Sequence, residues 1–374
     1  MKPNRLSTIL LSPCVFTLIL CLIGGCSRPR SSATASEYHQ TTLDNGLVLR
    51  VAESATQGNR GMVLFKIKAG SLAETEEERG FAHLLEHLCV SGALTEDGEK
   101  WSDVLQQHGI TVGQHLNATT SPGETLYHVI FDGSDLDQVE LVLRYLRTIA
   151  SEIEISQERI DRELSIIEEE EAVTSGPDPD QKRLIRALFS QGQDSRLNVL
   201  GDLTQLESAS AADLTQFYQT WYRADLAELT IIIPDQMEAA LADAADLFST
   251  WQPSGPTPTW SNLQNTNGLG DIRFTVLPET PGNEDKVIVG RSVDVPLTAS
   301  PESAWAYRAV IETLNEHLDA EHQPWESATL QLVNISDSQY LLVCTIQSED
   351  DSLDEAVSTL ASYLHPESMD LDAV

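Results

Sequence analysis

Along this chain, apolar residues alternate with polar ones in some stretches and recur every three to four positions in others. The alternating stretches predict strands. Thr41 to Val51 reads as strand, Asn45-Gly46 turn and strand, and Gly61 to Lys68 as another strand. Ile110 to Asn117 and Thr125 to Phe131 predict two more, joined by a Thr-Thr-Ser-Pro-Gly turn, and Leu229 to Ile233 is a β-rich run. The helical rhythm predicts Glu76 to Val90, with acidic residues in its first turn as the helix dipole favours, and Trp101 to His108. It returns at Leu136 to Ala150, Gln157 to Val173, Asp180 to Ser190, Ala211 to Trp221 and Met237 to Trp251. Strands followed by helices, without a strict βαβ beat, predict an α+β fold: a two-layer mixed sheet with helices packed on one face.

From Gln252 to Gly270 the composition turns to Pro, Ser, Thr, Asn and Gly, which reads as a linker. Beyond it, Lys286 to Val295, Ala304 to Leu318, Ala328 to Val333, Tyr340 to Gln347 and Leu353 to Leu364 run β-α-β-β-α. That order echoes the opening of the first domain and stops early, so a second, related but incomplete α+β domain is expected. The organisation is then 39–252 for the main domain, 253–272 for the linker and 273–374 for the partial one.

The N-terminus reads as an address. Lys2 and Arg5 precede a largely apolar run to Ile23, and Leu22-Ile23-Gly24-Gly25-Cys26 closes it. Flanks and length suit a signal peptide over residues 1–25, and the close resembles a bacterial lipoprotein lipobox. That resemblance implies lipidation of Cys26, a tether over 26–38 and, with Ser27 in place of aspartate, the outer membrane facing the periplasm. An uncleaved anchor is the alternative, although the apolar run is short for a span. The chain of 374 residues has a formal net charge of −35. Without its first 25 residues that becomes −37, because Lys2 and Arg5 are the charged residues there. So acidic a body repels nucleic acid, which excludes nucleic-acid binding as the function. Cys26, Cys89 and Cys344 remain after the leader, too few for a disulfide scaffold; Cys89 reads as core.

The chemistry concentrates in His83-Leu84-Leu85-Glu86-His87. Residues four apart share a helical face, so both imidazoles can reach one ion, with Glu86 beside it as a base. H-x-x-E-H is a metallopeptidase signature, the reverse of the commoner H-E-x-x-H. A hydrolytic zinc site has three protein ligands and an open position, so a third must come from elsewhere. The run from Glu163 to Glu171 offers it: Glu163 and Glu170 are two turns apart on one face, although Glu168, Glu169 and Glu171 adjoin Glu170.

These motifs resemble the pitrilysin/insulysin metallopeptidases, which include the mitochondrial processing peptidases. Leu43-Asp44-Asn45-Gly46-Leu47, Asn117-Ala118-Thr119-Thr120-Ser121 to Tyr127, Val199-Leu200-Gly201 and Tyr222-Arg223-Ala224-Asp225 extend the likeness over about 40–252. The resemblance implies one Zn²⁺ held by His83, His87 and Glu170, with Glu86 as general base and Glu163 as the carboxylate supporting a ligand. It also implies peptide substrates bound as an added strand, with Asn117 as a candidate contact, unless Asn117 merely caps a strand end. Gly123 departs from the family's usual Asp, and the Arg-Tyr pair of the family's second half is not found. The reading is a zinc endopeptidase for unfolded peptides at a bacterial membrane surface, with a second peptidase half or a homo- or heterodimer as partner. A partner-dependent, non-catalytic peptide-binding lipoprotein, or a truncated fragment, is the alternative.

Overall fold

A computed structural model describes residues 38–54, 58–174, 198–259, 273–276, 286–294, 327–336 and 339–347, with Asn315 and Glu355. Two compact units divide the chain: one of Ser31–Glu170 with Asn198–Asn262, the other of Met1–Arg30, Glu171–Leu197 and Leu263–Val374.

The first unit is built on six strands: β1 (Tyr38–Thr42), β2 (Val48–Glu53), β3 (Arg60–Ile67), β4 (Leu116–Thr120), β5 (Thr125–Asp132) and β6 (Ala227–Ile233). They pair in the order β1-β2-β6-β3-β5-β4. The β2–β6 pair is parallel and the other pairs are antiparallel, which makes the sheet mixed. Alternation does the sorting. Val63, Phe65 and Ile67 of β3 and Leu229, Ile231 and Ile233 of β6 are fully buried, while Met62, Leu64 and Lys66 are half-buried on the other face. Each large apolar side chain buried this way contributes about 1.5–3 kcal/mol.

The helices cover the buried face. They are α1 (Phe81–Gly92), α2 (Trp101–Gln107), α3 (Leu136–Ser151), α4 (Gln157–Thr174), α5 (Leu203–Leu206), α6 (Ala211–Trp221) and α7 (Met237–Ser249). Helix α7 packs on α3 and β2, and α1 packs on β4 and α6. The expected α+β class, with helices on one face of a mixed sheet, is what the unit has.

Two expected elements are shorter than their apolar patterns suggested. The motif helix begins at Phe81, not Glu76: Gly80 adopts φ +95°, and Glu76–Glu78 form a separate 3-10 turn with its own Thr75/Glu78 capping box. The acids expected in the first turn of α1 are therefore outside it. Strand β4 begins at Leu116, not Ile110. Gly109 and Gly113 take positive φ, the intervening segment folds into a turn with His115 N–H bonded to the Thr111 carbonyl, and Val112 is exposed. The expected helix at 180–190 lies outside the described residues.

The start of the expected linker is tied to the first unit. Arg223, buried and paired to both oxygens of Asp225, donates to the carbonyls of Ser254, Gly255 and Pro256. Asn45 donates to the carbonyls of Phe248 and Trp251, closing the end of α7. Gly46 sits at φ +94° against Asp225, where a Cβ would come within 2.8 Å.

In the second unit, β7 (Arg273–Val276), β8 (Lys286–Asp294), β9 (Ser327–Ser336) and β10 (Gln339–Gln347) form an antiparallel sheet ordered β7-β8-β10-β9. Three of these strands fall where the alternation placed them, and β7 was not anticipated. The expected helices 304–318 and 353–364 lie outside the described residues, apart from Asn315 and Glu355.

Candidate metal centre

Helix α1 buries Phe81, Leu84, Leu85, Leu88 and Cys89, and this apolar face fixes its rotation. His83 and His87 then lie together on the flank, ring centroids 4.7 Å apart. Helix α4 is held by buried Ile160, Leu164 and Ile167. The same rotation turns Glu163 inward, 5% exposed, and carries Glu170 two turns on to the histidines.

Glu170 Oε2 lies 3.8 Å from His83 Nε2 and 3.7 Å from His87 Nε2. Among the described residues, His83, His87 and Glu170 are the one group of three able to offer ligand atoms within 4.8 Å of one another. Tetrahedral zinc with bonds near 2 Å spaces its ligand atoms about 3.4 Å apart, so the spacing and the two-imidazole, one-carboxylate donor set fit that ion. Glu168 and Glu169, the described alternatives, are exposed as Glu170 is, and neither joins that group.

Glu163 faces the other side of His87, its Oε2 3.5 Å from Nδ1. Its Oε1 accepts a 2.6 Å hydrogen bond from Ser91 Oγ, so the carboxylate is held at both oxygens. Burial opposes charge on His87, but Glu163, Glu170 and Glu86 around it hold its pKa above the ordinary value. Burial likewise opposes ionisation of Glu163, and the bonds from His87 and Ser91 outweigh it, keeping that carboxyl below its ordinary range.

Glu86 is 8% exposed on the same turn as the histidines, and its Oε2 accepts a 2.6 Å bond from Thr120 Oγ1 at the end of β4. Asn117 is on the same strand, but pleating puts it on the opposite face from Thr120. Its amide reaches only the Gly113 carbonyl, at 3.4 Å. Cys89 is fully buried as expected, beside the hydroxyls of Tyr127 and Tyr222, which share a 2.6 Å bond. Burial pushes its thiol up to about 12, so it is no nucleophile. Cys26 lies outside the described residues.

Sequence reasoning missed Ser91, Thr120 and Glu74. Glu74 is a buried acid whose oxygens accept the N–H groups of Gly80 and Ala82 at the entrance to α1. Burial raises its carboxyl to about 8, against the pull of those bonds and of Arg79. Ser91 sits four residues after His87, on the same flank, and was the one with a readable signal.

An α+β body thus presents an H-x-x-E-H helix against an acidic helix, the arrangement that the sequence motifs led one to expect. Residues 50–198 match the family model for Insulinase (Peptidase family M16). That is the family its motifs resemble. It is 22% identical over 332 residues to Probable zinc protease PqqL of Escherichia coli, covering 86% of this chain and 35% of that protein. It is 32% identical over 186 residues to the Probable mitochondrial-processing peptidase subunit beta of Schizosaccharomyces pombe, covering 50% of this chain and 39% of that one. The crystal structure of the first half of the periplasmic protease PqqL from Escherichia coli shares the fold, with TM-score 0.68 and 21% identity over 90% of this chain and 73% of that one. The chain thus spans well under half the length of these two curated relatives. Homology to zinc proteases supports a peptidase function and implies zinc.

Proposed function

We propose that this chain is the zinc-bearing part of an endopeptidase that hydrolyses unfolded peptides or oligopeptides at a bacterial membrane surface. The observation that carries the reading is the meeting of His83 Nε2, His87 Nε2 and Glu170 Oε2, with Glu86 one residue from His87. Zinc held by His83, His87 and Glu170 would supply Lewis-acid polarisation of the scissile carbonyl and would make a bound water more acidic.

The remaining work belongs to the side chains. Glu86 takes a proton from the attacking water and passes it to the leaving amine. Thr120 holds one oxygen of that carboxylate, Oε2, and so fixes the side chain. Glu163, braced by Ser91, orients His87 through Nδ1 and leaves Nε2 for the ion, the usual part of a carboxylate behind a ligand histidine. The edge position of β4 suits a substrate bound as an added strand, through its main chain. Asn117 then contributes its backbone, since its side chain lies on the far face from Glu86.

In this reading Cys26 carries the lipid and the body faces the periplasm from the outer membrane, a compartment matching the periplasmic PqqL it resembles. A second peptidase half is the proposed partner, in line with its likeness to the first half of that protease.

The test is digestion of a peptide library by the chain from Cys26 onward, with and without zinc, alone and with a complementary half supplied. Glu86→Gln is expected to keep its zinc and lose turnover, and Glu170→Gln to lose both. Full activity in Glu86→Gln ends the general-base assignment. Activity seen only with the added half selects the partner-dependent form.

A further inference from the structure

Helix α1 enters without a capping side chain of its own, because the residue at its N-cap is Gly80. The first N–H groups of a helix have no partner within it. Here they are served from outside: Glu74 Oε2 accepts Gly80 N–H at 3.0 Å, and Oε1 accepts Ala82 N–H at 2.9 Å. An acid in that place also meets the positive end of the helix dipole. Glu74 is 3% exposed, and both its carboxyl oxygens are used.

The segment bearing Glu74 is itself anchored. Leu72 N–H bonds to the Pro122 carbonyl at 2.8 Å, and Thr125 Oγ1 bonds to the Ala69 carbonyl at 2.9 Å. Both contacts are with the β4–β5 turn and its flank, next to Thr120, which holds Glu86. Gly70 lies so close to that turn that a Cβ would come within 1.9 Å of the Ser121 carbonyl oxygen. At the far end of α1, Arg159 of α4 donates to the Gly92 carbonyl at 2.8 Å, and Ser91 donates to Glu163. The motif helix is therefore gripped at one end by the segment joined to β4 and β5, and at the other by the helix that carries Glu170.

We propose that Glu74 is a positioning residue for the metal centre: by holding the first turn of α1 it sets the depth and rotation at which His83 and His87 face Glu170. His83 directly follows Ala82, so a shift of that turn moves its imidazole before any other group. The inference rests on the zinc reading given above, and the experiment separates the two.

Glu74→Gln in the full chain replaces one acceptor with an NH₂ group facing a backbone N–H, whatever the protonation of the original acid. The measurements are the zinc dissociation constant by chelator competition and the melting temperature with and without zinc. Glu74→Gln is expected to weaken zinc binding about tenfold, the lower range for groups that orient ligands, and to shrink the zinc-induced rise in melting temperature. Glu74→Asp, able to reach one of the two N–H groups, is expected to fall between it and the wild type. Wild-type affinity in folded Glu74→Gln, with only the zinc-free melting temperature lowered, makes Glu74 a structural cap and overturns the inference alone. If Glu74→Gln does not fold, wild-type affinity in Glu74→Asp overturns it in the same way. A wild-type chain that takes up no zinc overturns the zinc reading, and this inference with it.

Discussion

Two acidic clusters lie on opposite faces of the same sheet, and they are balanced differently. On the half-exposed face, Glu228 of β6 meets Arg50 at 2.8 Å, Lys68 at 2.8 Å and Lys66 at 3.2 Å. Burial alone would raise its pKa, but the bonds from Lys68 and Arg50 and the charge of Lys66 hold it at about 2. On the helical face, Glu163 and Glu170 meet the imidazoles of His83 and His87, which are charged only when protonated. Lysine and arginine bring permanent charge and complete the first cluster. Imidazoles bring lone pairs when neutral, so in the zinc reading proposed above a cation completes the second cluster, whose His83, His87 and Glu170 donor atoms lie within 4.8 Å of one another. In that reading, the residue type opposite the acid decides whether a cluster is an ion pair or a metal centre.

The largest expected effect comes from making the second cluster resemble the first. His87→Lys places an ammonium among Glu86, Glu163 and Glu170, and is expected to abolish zinc uptake and turnover together. Stoichiometric zinc in that variant, measured by atomic absorption, would break the comparison. Next in size, zinc at a hundredfold excess over its dissociation constant is expected to stabilise the wild-type chain by about 2.7 kcal/mol. For a unit of roughly 200 residues that is about 5–10 °C in melting temperature, read by calorimetry. No shift in the wild type would remove the cation from the account.

Ser91→Ala frees one oxygen of Glu163 and is expected to weaken zinc binding by about 1 kcal/mol, with Ser91→Thr restoring it. Unchanged affinity in Ser91→Ala would show that Glu163 needs no brace. The smallest effect belongs to the cation-paired cluster. Glu228→Gln is expected to cost about 1 kcal/mol or less, since its partners are partly exposed and screened. The folded pKa of Glu228 lies below its unfolded value, so the stabilisation is present above about pH 4.5 and lost as pH falls toward about 2. Wild type and Glu228→Gln should therefore converge in acid denaturation over that window. A constant difference across it would mean the cluster stabilises by packing instead of charge.

Much of this was legible in the chain itself. The strand alternation around Val63, Phe65 and Leu229 and the spacing of His83, Glu86 and His87 depend on neighbours a few residues apart, and one-dimensional order carries such information. So does the seven-residue step from Glu163 to Glu170, which marks a shared helical face. The misplaced boundaries have a local cause that alternation does not register. Gly80, Gly109 and Gly113 adopt positive φ and end elements that their apolar patterns would extend.

Only tertiary structure decided what closes the site. That Glu170, and not Glu168 or Glu169, meets the histidines depends on the rotation of α4, set by Ile160, Leu164 and Ile167 packing into the core. Thr120 against Glu86 is a contact across 34 residues, and Ser91 against Glu163 one across 72. No local pattern sets Glu74 apart from the other acids of the chain, and the fold buries it at the mouth of α1. Local spacing determined which side chains share a face; packing of distant segments determined which faces meet, because contact across tens of residues exists only once the core has formed.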